Sequence, residues 1–281
     1  MQIIVLGMHR SGTSAMTRLI NMMGAYFGPE GSALPSNEDN PKGFWERRDF
    51  VLLNMHLLGA RGCSWYDLSG WTATPPKPFD PRLSDGMKTF MLGLDAHRPW
   101  VLKDPRLCIT LCDWLPLLDT PLVVVASRDP LEIARSLEQR EGAPVAYGLA
   151  LWEHYAVHIV RNAAALPKLF VAHQAVMSSP VTAAQGLYDG LVANGVRRLA
   201  MPSEREILGF IEPALHRARR ADVTATLTPH QQALDAMLRG ERAFDPLVEV
   251  SAASRDLVRR EAPAMEQRLK ALAVGRGKVA S

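Results

Sequence analysis

Short apolar runs alternate with stretches of helical period through the first two hundred residues. Ile3-Ile4-Val5-Leu6 is β-branched and aliphatic, stops at Gly7, and predicts a strand running into a tight polar loop. Met16, Leu19, Ile20 and Met23 then recur at helical spacing, so one face of a first helix packs on a sheet, and Gly24 ends it. Residues 26–43 are rich in Gly, Pro, Asn and Asp and predict a long surface loop. Phe44, Val51, Leu52, Met55 and Leu58 restore helical spacing over Phe44–Leu58, with Glu46 in the first turn. Residues 60–82, with two tryptophans and four prolines, predict an irregular excursion.

A helix over 83–97 leads to a second strand, Trp100-Val101-Leu102, followed by a short helix holding Cys108 and Trp114. Leu122 to Ala126 is an uninterrupted apolar run, as expected of a strand buried on both faces of a parallel sheet. Pro130 is placed to be the first residue of the next helix, which turns Leu131, Ala134 and Leu137 inward. A longer helix follows over 145–166, then a fourth strand at Leu169–Ala172 and a helix over 180–194. Beyond Ser203 the pattern is helical and charge-rich, punctuated by Pro202, Pro213, Pro229, Pro246 and Pro263, with a frayed tail from Gly275. Strands alternating with helices predict an α/β fold with a central parallel sheet, whose ligands lie at the carboxyl ends of its strands. The domain boundaries that follow are an α/β core over residues 1–202 and a helical C-terminal extension over 203–281 packed on it.

Composition narrows the function classes. The 281 residues are 47% hydrophobic and 22% charged, which is ordinary for a globular chain, and the net charge of +3 is too small to predict nucleic-acid binding. No window approaches the roughly 18 apolar residues of a membrane span, and strand residues begin at once without a charged leader, so a cytoplasmic protein is expected. Cys63, Cys108 and Cys112 make no disulfide framework. Cys108 and Cys112 lack further ligands at metal spacing and are expected to be reduced thiols. His154 and His158, four apart, lack a third ligand and are expected on a polar helix face.

The strand ends carry the chemistry. Gly7-x4-Gly12 before a helix resembles the front of a phosphate-binding loop, where backbone N–H groups and the helix dipole hold an oxyanion. Thr13-Ser14 stands where a nucleotide hydrolase needs Lys-Ser/Thr, so Arg10 is the strong cation inside the loop. Lys103 (with Arg106) and Arg128 end the next two strands, and in a parallel sheet such ends share one edge. Three cations beside a glycine loop predict a site for one polyanionic ligand.

In these motifs the chain resembles the sulfotransferases that use 3′-phosphoadenosine-5′-phosphosulfate (PAPS), most closely their carbohydrate and protein-tyrosine branches and bacterial types. The resemblance spans residues 1–195 and implies their P-loop-like fold. It implies a 5′-phosphosulfate loop at Arg10-Ser11-Gly12-Thr13-Ser14 and a 3′-phosphate motif running from Arg128-Asp129-Pro130 to Ser136. It matches Lys103-Asp104-Pro105 to the Lys-Asp-Pro of the tyrosine branch, and sets Glu46 where a catalytic glutamate stands, with Arg10 and Lys103 as the cations of catalysis. Asp104 is the second candidate for the base and His9 the third. The acceptor is expected to be a hydroxyl on a carbohydrate or glycolipid, bound by residues 26–82 and the C-terminal helices, where Trp45, Trp65, Tyr66 and Trp71 either stack on it or fill space under the loops. The product is adenosine 3′,5′-bisphosphate, and no metal is expected. Two features depart from the family: His173-Gln174 replaces a frequent Tyr-Glu, and Gly275-Arg276-Gly277-Lys278 is a poor match to the C-terminal nucleotide clamp. The alternatives are a P-loop kinase of small metabolites, which the missing loop lysine argues against, and a nucleotide-binding module without turnover.

Overall fold

A computed structural model describes residues 1–36, 42–211 and 226–279, with side chains described to Ala273. Four strands form one parallel sheet in the order β2-β1-β3-β4, where β1 is Gln2–Leu6, β2 Trp100–Lys103, β3 Pro121–Ser127 and β4 Lys168–Ala172. The register sets Val5 beside Lys103 and Val124, so the strand ends that carry cations fall on one edge. The fold is therefore α/β with a parallel sheet flanked by helices, as the alternation of the sequence implies.

Both faces of the sheet are buried, and the pleat decides which core each residue joins. Ile3, Val5, Val101, Leu122 and Val124 pack with Met16, Leu19 and Ile20 of α1 (Thr13–Met22) and with Ala184, Leu187 and Leu191 of α8 (Pro180–Ala193). Ile4, Leu6, Leu102, Val123 and Val125 join a larger core on the other face. To it α2 (Arg48–Gly59), α3 (Pro81–Asp95), α4 (Leu107–Trp114), α5 (Pro130–Glu141) and α6 (Val145–Asn162) contribute. The first helix ends as expected at Gly24, whose φ of 108° suits glycine alone. Pro130 begins α5, where the Asp129 carboxylate accepts the Leu131 N–H at 2.8 Å.

Three expected elements differ. The helix expected from Phe44 begins only at Arg48, because Leu34 N–H bonds the Glu46 carbonyl and Arg48 N–H bonds the Ser32 carbonyl, holding residues 44–47 in an irregular, non-helical path. Glu46 thus precedes the helix instead of opening it. The helix over 145–166 ends at Asn162, and the chain after β4 turns at once into a short α7 (His173–Ser178). Pro263 lies inside α11 (Ala252–Val279) and does not break it, and the helix continues through the segment expected to fray. Pro213 and part of the 26–43 loop, including Asn40 and Pro41, lie outside the described residues.

The excursion over 60–82 is anchored by buried Arg61. Its guanidinium reaches the Thr72 and Ala73 carbonyls at 2.9 Å and Asp113 at 2.8 Å, and lies 4.3 Å from the Trp71 ring centre. Two tyrosines of α6 hold its near end, Tyr155 donating to the Trp65 carbonyl at 2.9 Å and Tyr147 to that of Tyr66. After α9 (Glu204–Phe210), α10 (Pro229–Leu238) and α11 pack on α6 around Glu153. No described helix is long and apolar enough to cross a membrane.

His154 and His158 are buried on α6, not on a polar face; burial lowers them to about 3 and about 4. Cys63, Cys108 and Cys112 are free thiols, and burial raises Cys108 to about 12. That thiol has a structural task, its Sγ accepting the Gly7 N–H at 3.2 Å.

Candidate functional site

The turn after β1 is built by close approach. A Cβ on Gly7 would lie 2.5 Å from Ser11 Oγ, so only glycine lets the loop fold back on the strand. Ser11 closes the loop, its hydroxyl and its N–H both donating to the Met8 carbonyl, at 2.6 and 3.2 Å. Ser11 is therefore a brace of the loop and is absent from the lining of the site. Gly12 is the N-cap of α1 with φ 85° and no side-chain cap, which leaves the first turn facing the cavity with its partial positive charge. A Cβ there would come 2.2 Å from His173 Cδ2, so His173 lies flush against the loop.

A cavity of about 510 Å³ opens at this point, lined by Gly12, Thr13 and Ser14, by Arg10, Lys103 and Arg128, and by Glu46, among others. The site residues form two groups. In the first, Lys103 Nζ donates to Glu46 Oε1 at 2.5 Å, to the Phe44 carbonyl at 2.9 Å and to Ser14 Oγ at 3.2 Å. Ser14 Oγ in turn donates to the Phe44 carbonyl at 2.8 Å. Glu46 and Lys103 are both buried and form an ion pair, so removing either would leave the other without its partner in the interior. In the second, Arg10 Nε donates to Ser136 Oγ at 2.7 Å, and Arg128 Nη1 donates to the Arg10 carbonyl at 2.7 Å. That last bond spans the φ 72° backbone of Arg10, and Glu132 holds Arg128 from the other side at 3.0 Å.

The other two candidates for a base differ in kind. Asp104 is fully buried, accepts from Asn54 at 3.0 Å and from Arg106 Nη1 at 2.8 Å, and does not line the cavity. It is a support for Arg106, its oxygens already engaged. His9 does line the cavity, its ring 4.7 Å from that of Trp65 and 5.8 Å from that of Tyr155. Burial and then the positive charges of Arg106, Lys103, Arg140 and Arg10 hold His9 well below the usual histidine range, so it is neutral at pH 7.

Several lining residues stand outside the motifs. Arg140, four residues after Ser136 on α5, could have been found from the helical repeat, which puts it on the same face. Leu269, Leu272 and Ala273 come from α11, and Phe210 and Ile211 from the end of α9. No local pattern marks these. Of the four aromatics expected near an acceptor, Trp65 lines the cavity, whereas Trp71 packs against Arg61 and His158. Among the described residues no group of three or more His, Cys, Asp or Glu could hold a metal ion.

No family model matches the sequence, and no curated protein matches it. Among solved structures the chain is similar to a sulfotransferase domain from the curacin biosynthetic pathway, at 13% identity and a TM-score of 0.41, over 92% of this chain and 96% of that one.

Proposed function

We propose that this chain is a sulfotransferase that moves a sulfuryl group from PAPS to an acceptor hydroxyl on a carbohydrate or glycolipid. The observation that carries the reading is the joining of three strand-end cations at one uncapped helix N-terminus, with a carboxylate bonded to one of them. The residues fit the donor. The first-turn amides of α1, with Thr13, Ser14 and Lys103, would hold the 5′-phosphosulfate, and Arg128 the 3′-phosphate, with Ser136, buried and absent from the cavity lining, serving that end by holding Arg10. Arg10, bonded to Ser136, links the two ends. When bound, the donor supplies the sulfuryl group and leaves as adenosine 3′,5′-bisphosphate.

The chain supplies a base and a matched cation. Glu46 takes the proton of the acceptor hydroxyl, which weakens its own hold on Lys103. The ammonium that is released then faces the oxygen on which negative charge develops, so one proton transfer both makes the nucleophile and frees the electrostatic stabiliser. Buried surroundings strengthen both effects. Residues 1–202 would form the donor core, and residues 203–281 an extension that closes the acceptor side through Leu269, Leu272 and Ala273.

The test is thermal stabilisation at saturating ligand, since a ligand that binds the folded state raises the melting temperature by mass action. Adenosine 3′,5′-bisphosphate should stabilise the protein without metal. Stabilisation by ATP with magnesium alone would reject the reading in favour of a kinase. Bisphosphate binding without sulfate transfer to any of a broad acceptor panel would leave a binding module.

A further inference from the structure

Trp45 has a backbone conformation that bulky residues rarely adopt. Its φ is 53°, in the left-handed region, where a large side chain is strained. It stands between the two groups that converge on Lys103: the carbonyl of Phe44 before it and the carboxylate of Glu46 after it. The local reversal at Trp45 lets a main-chain oxygen and a side chain two residues on reach the same ammonium. The ring is held firmly on the far side. Its indole N–H donates to the Lys42 carbonyl at 3.0 Å, the Arg18 guanidinium of α1 lies 4.6 Å from its centre, and Phe27 meets it edge-on at 5.4 Å. Trp45 is not among the residues lining the cavity.

We infer that Trp45 is a positioning residue, whose ring, clamped by Arg18, Phe27 and the Lys42 carbonyl, holds the strained turn that brings Glu46 and the Phe44 carbonyl onto Lys103. The inference rests on the assignment of Glu46 as the base. Strain of this kind persists only where surrounding contacts over-determine it, and the three contacts of the indole do so here. Arg18 also ties the turn to α1, the helix whose N-terminus forms the anion site, so base and anion site share one rigid support.

Trp45→Ala, Trp45→Phe and Arg18→Gln test it, alanine removing the ring while keeping the Cβ that disfavours a positive φ. In protein labelled with ¹⁵N-lysine, the Lys103 ammonium protons, shielded by three acceptors, should give an observable signal in the wild type and in Trp45→Phe. The signal should be lost in Trp45→Ala, and this readout needs no acceptor. With an acceptor identified, kcat of Trp45→Ala should fall by about 10²-fold, the usual result of misplacing a catalytic group by about 1 Å. Its Kd for adenosine 3′,5′-bisphosphate should stay within about threefold, because ground-state binding is untouched. Trp45→Phe should keep most of kcat, and Arg18→Gln should lower it in the same direction. A Lys103 signal that survives in Trp45→Ala, or a kcat loss matched by an equal loss of bisphosphate affinity, overturns the inference. Failure of the wild type to bind the bisphosphate rejects the sulfotransferase reading itself, before any variant is compared.

Discussion

Replacing Glu153 by alanine removes the acceptor on which the C-terminal helices are hung. The carboxylate, 1% exposed on α6, accepts from the Ser251 N–H at 2.8 Å, the Ser254 hydroxyl at 2.7 Å and the Gln231 amide at 3.1 Å. Gln231 and Ser254 are themselves buried. Each buried donor left without a partner costs about 1–3 kcal/mol, and relief from holding a buried charge offsets part of that. A net loss of about 3–5 kcal/mol is therefore expected, enough to lower the melting temperature by roughly 10 °C in a chain of this size. Urea unfolding of wild type, Glu153→Ala and Glu153→Gln measures it, and the glutamine variant should lose less because one acceptor oxygen remains. Hydrogen exchange should locate the effect in α10 and α11, while β1 and β3 keep their protection. Because α11 carries Leu269, Leu272 and Ala273 to the cavity, that wall should loosen while affinity for adenosine 3′,5′-bisphosphate, proposed to bind at the strand ends, holds. A change below about 1 kcal/mol, or exchange that rises evenly through the sheet, would show that Glu153 does not anchor the C-terminal helices.

Gly12→Ala should abolish bisphosphate binding and cost about 1–3 kcal/mol, since its Cβ would enter the His173 ring and its φ is 85°; calorimetry and thermal melting measure the two effects. Arg128→Ala, which removes a guanidinium that also holds the Arg10 carbonyl, should abolish bisphosphate binding by calorimetry. Glu46→Gln should bind the bisphosphate normally and lower turnover by about 10²-fold or more; turnover at the wild-type rate would move the base elsewhere. The buried histidines set an acid limit. His158 is lowered to about 4, so between pH 6.5 and 4 the unfolded chain binds a proton that the folded chain does not, and stability is full above pH 6.5 and falls below it. Urea unfolding at several pH values should show that slope reduced in His158→Gln by about 1.4 kcal/mol per pH unit.

Local chemistry alone determined a good part of this protein. Apolar runs that end near Gly7, Lys103 and Ser127 read as buried parallel strands, and the Asp129-Pro130 pair carries its own helix start, because caps and dihedral preferences act within a few residues. The candidate cations were legible for the same reason, since a strand end followed by a polar residue puts that residue on the ligand edge of the sheet. The contacts among them were not. Arg10 bonds Ser136 across 126 positions, and Lys103 bonds Glu46 across 57; such pairs depend on strand register and loop path, which leave no trace in local periodicity. Where periodicity pointed to a helix from Phe44, tertiary hydrogen bonds to Ser32 and Leu34 and the clamp on Trp45 prevailed, because they outweigh the few tenths of a kcal/mol of helical preference per residue. The same limit hid the α11 wall of the cavity and the burial of His154 and His158. Strands, helix starts and the glycine turn after β1 were thus legible along the chain, because they follow from preferences that act within a few residues. Which side chains meet was settled in three dimensions, where long-range packing energies, not local preferences, select the pairs.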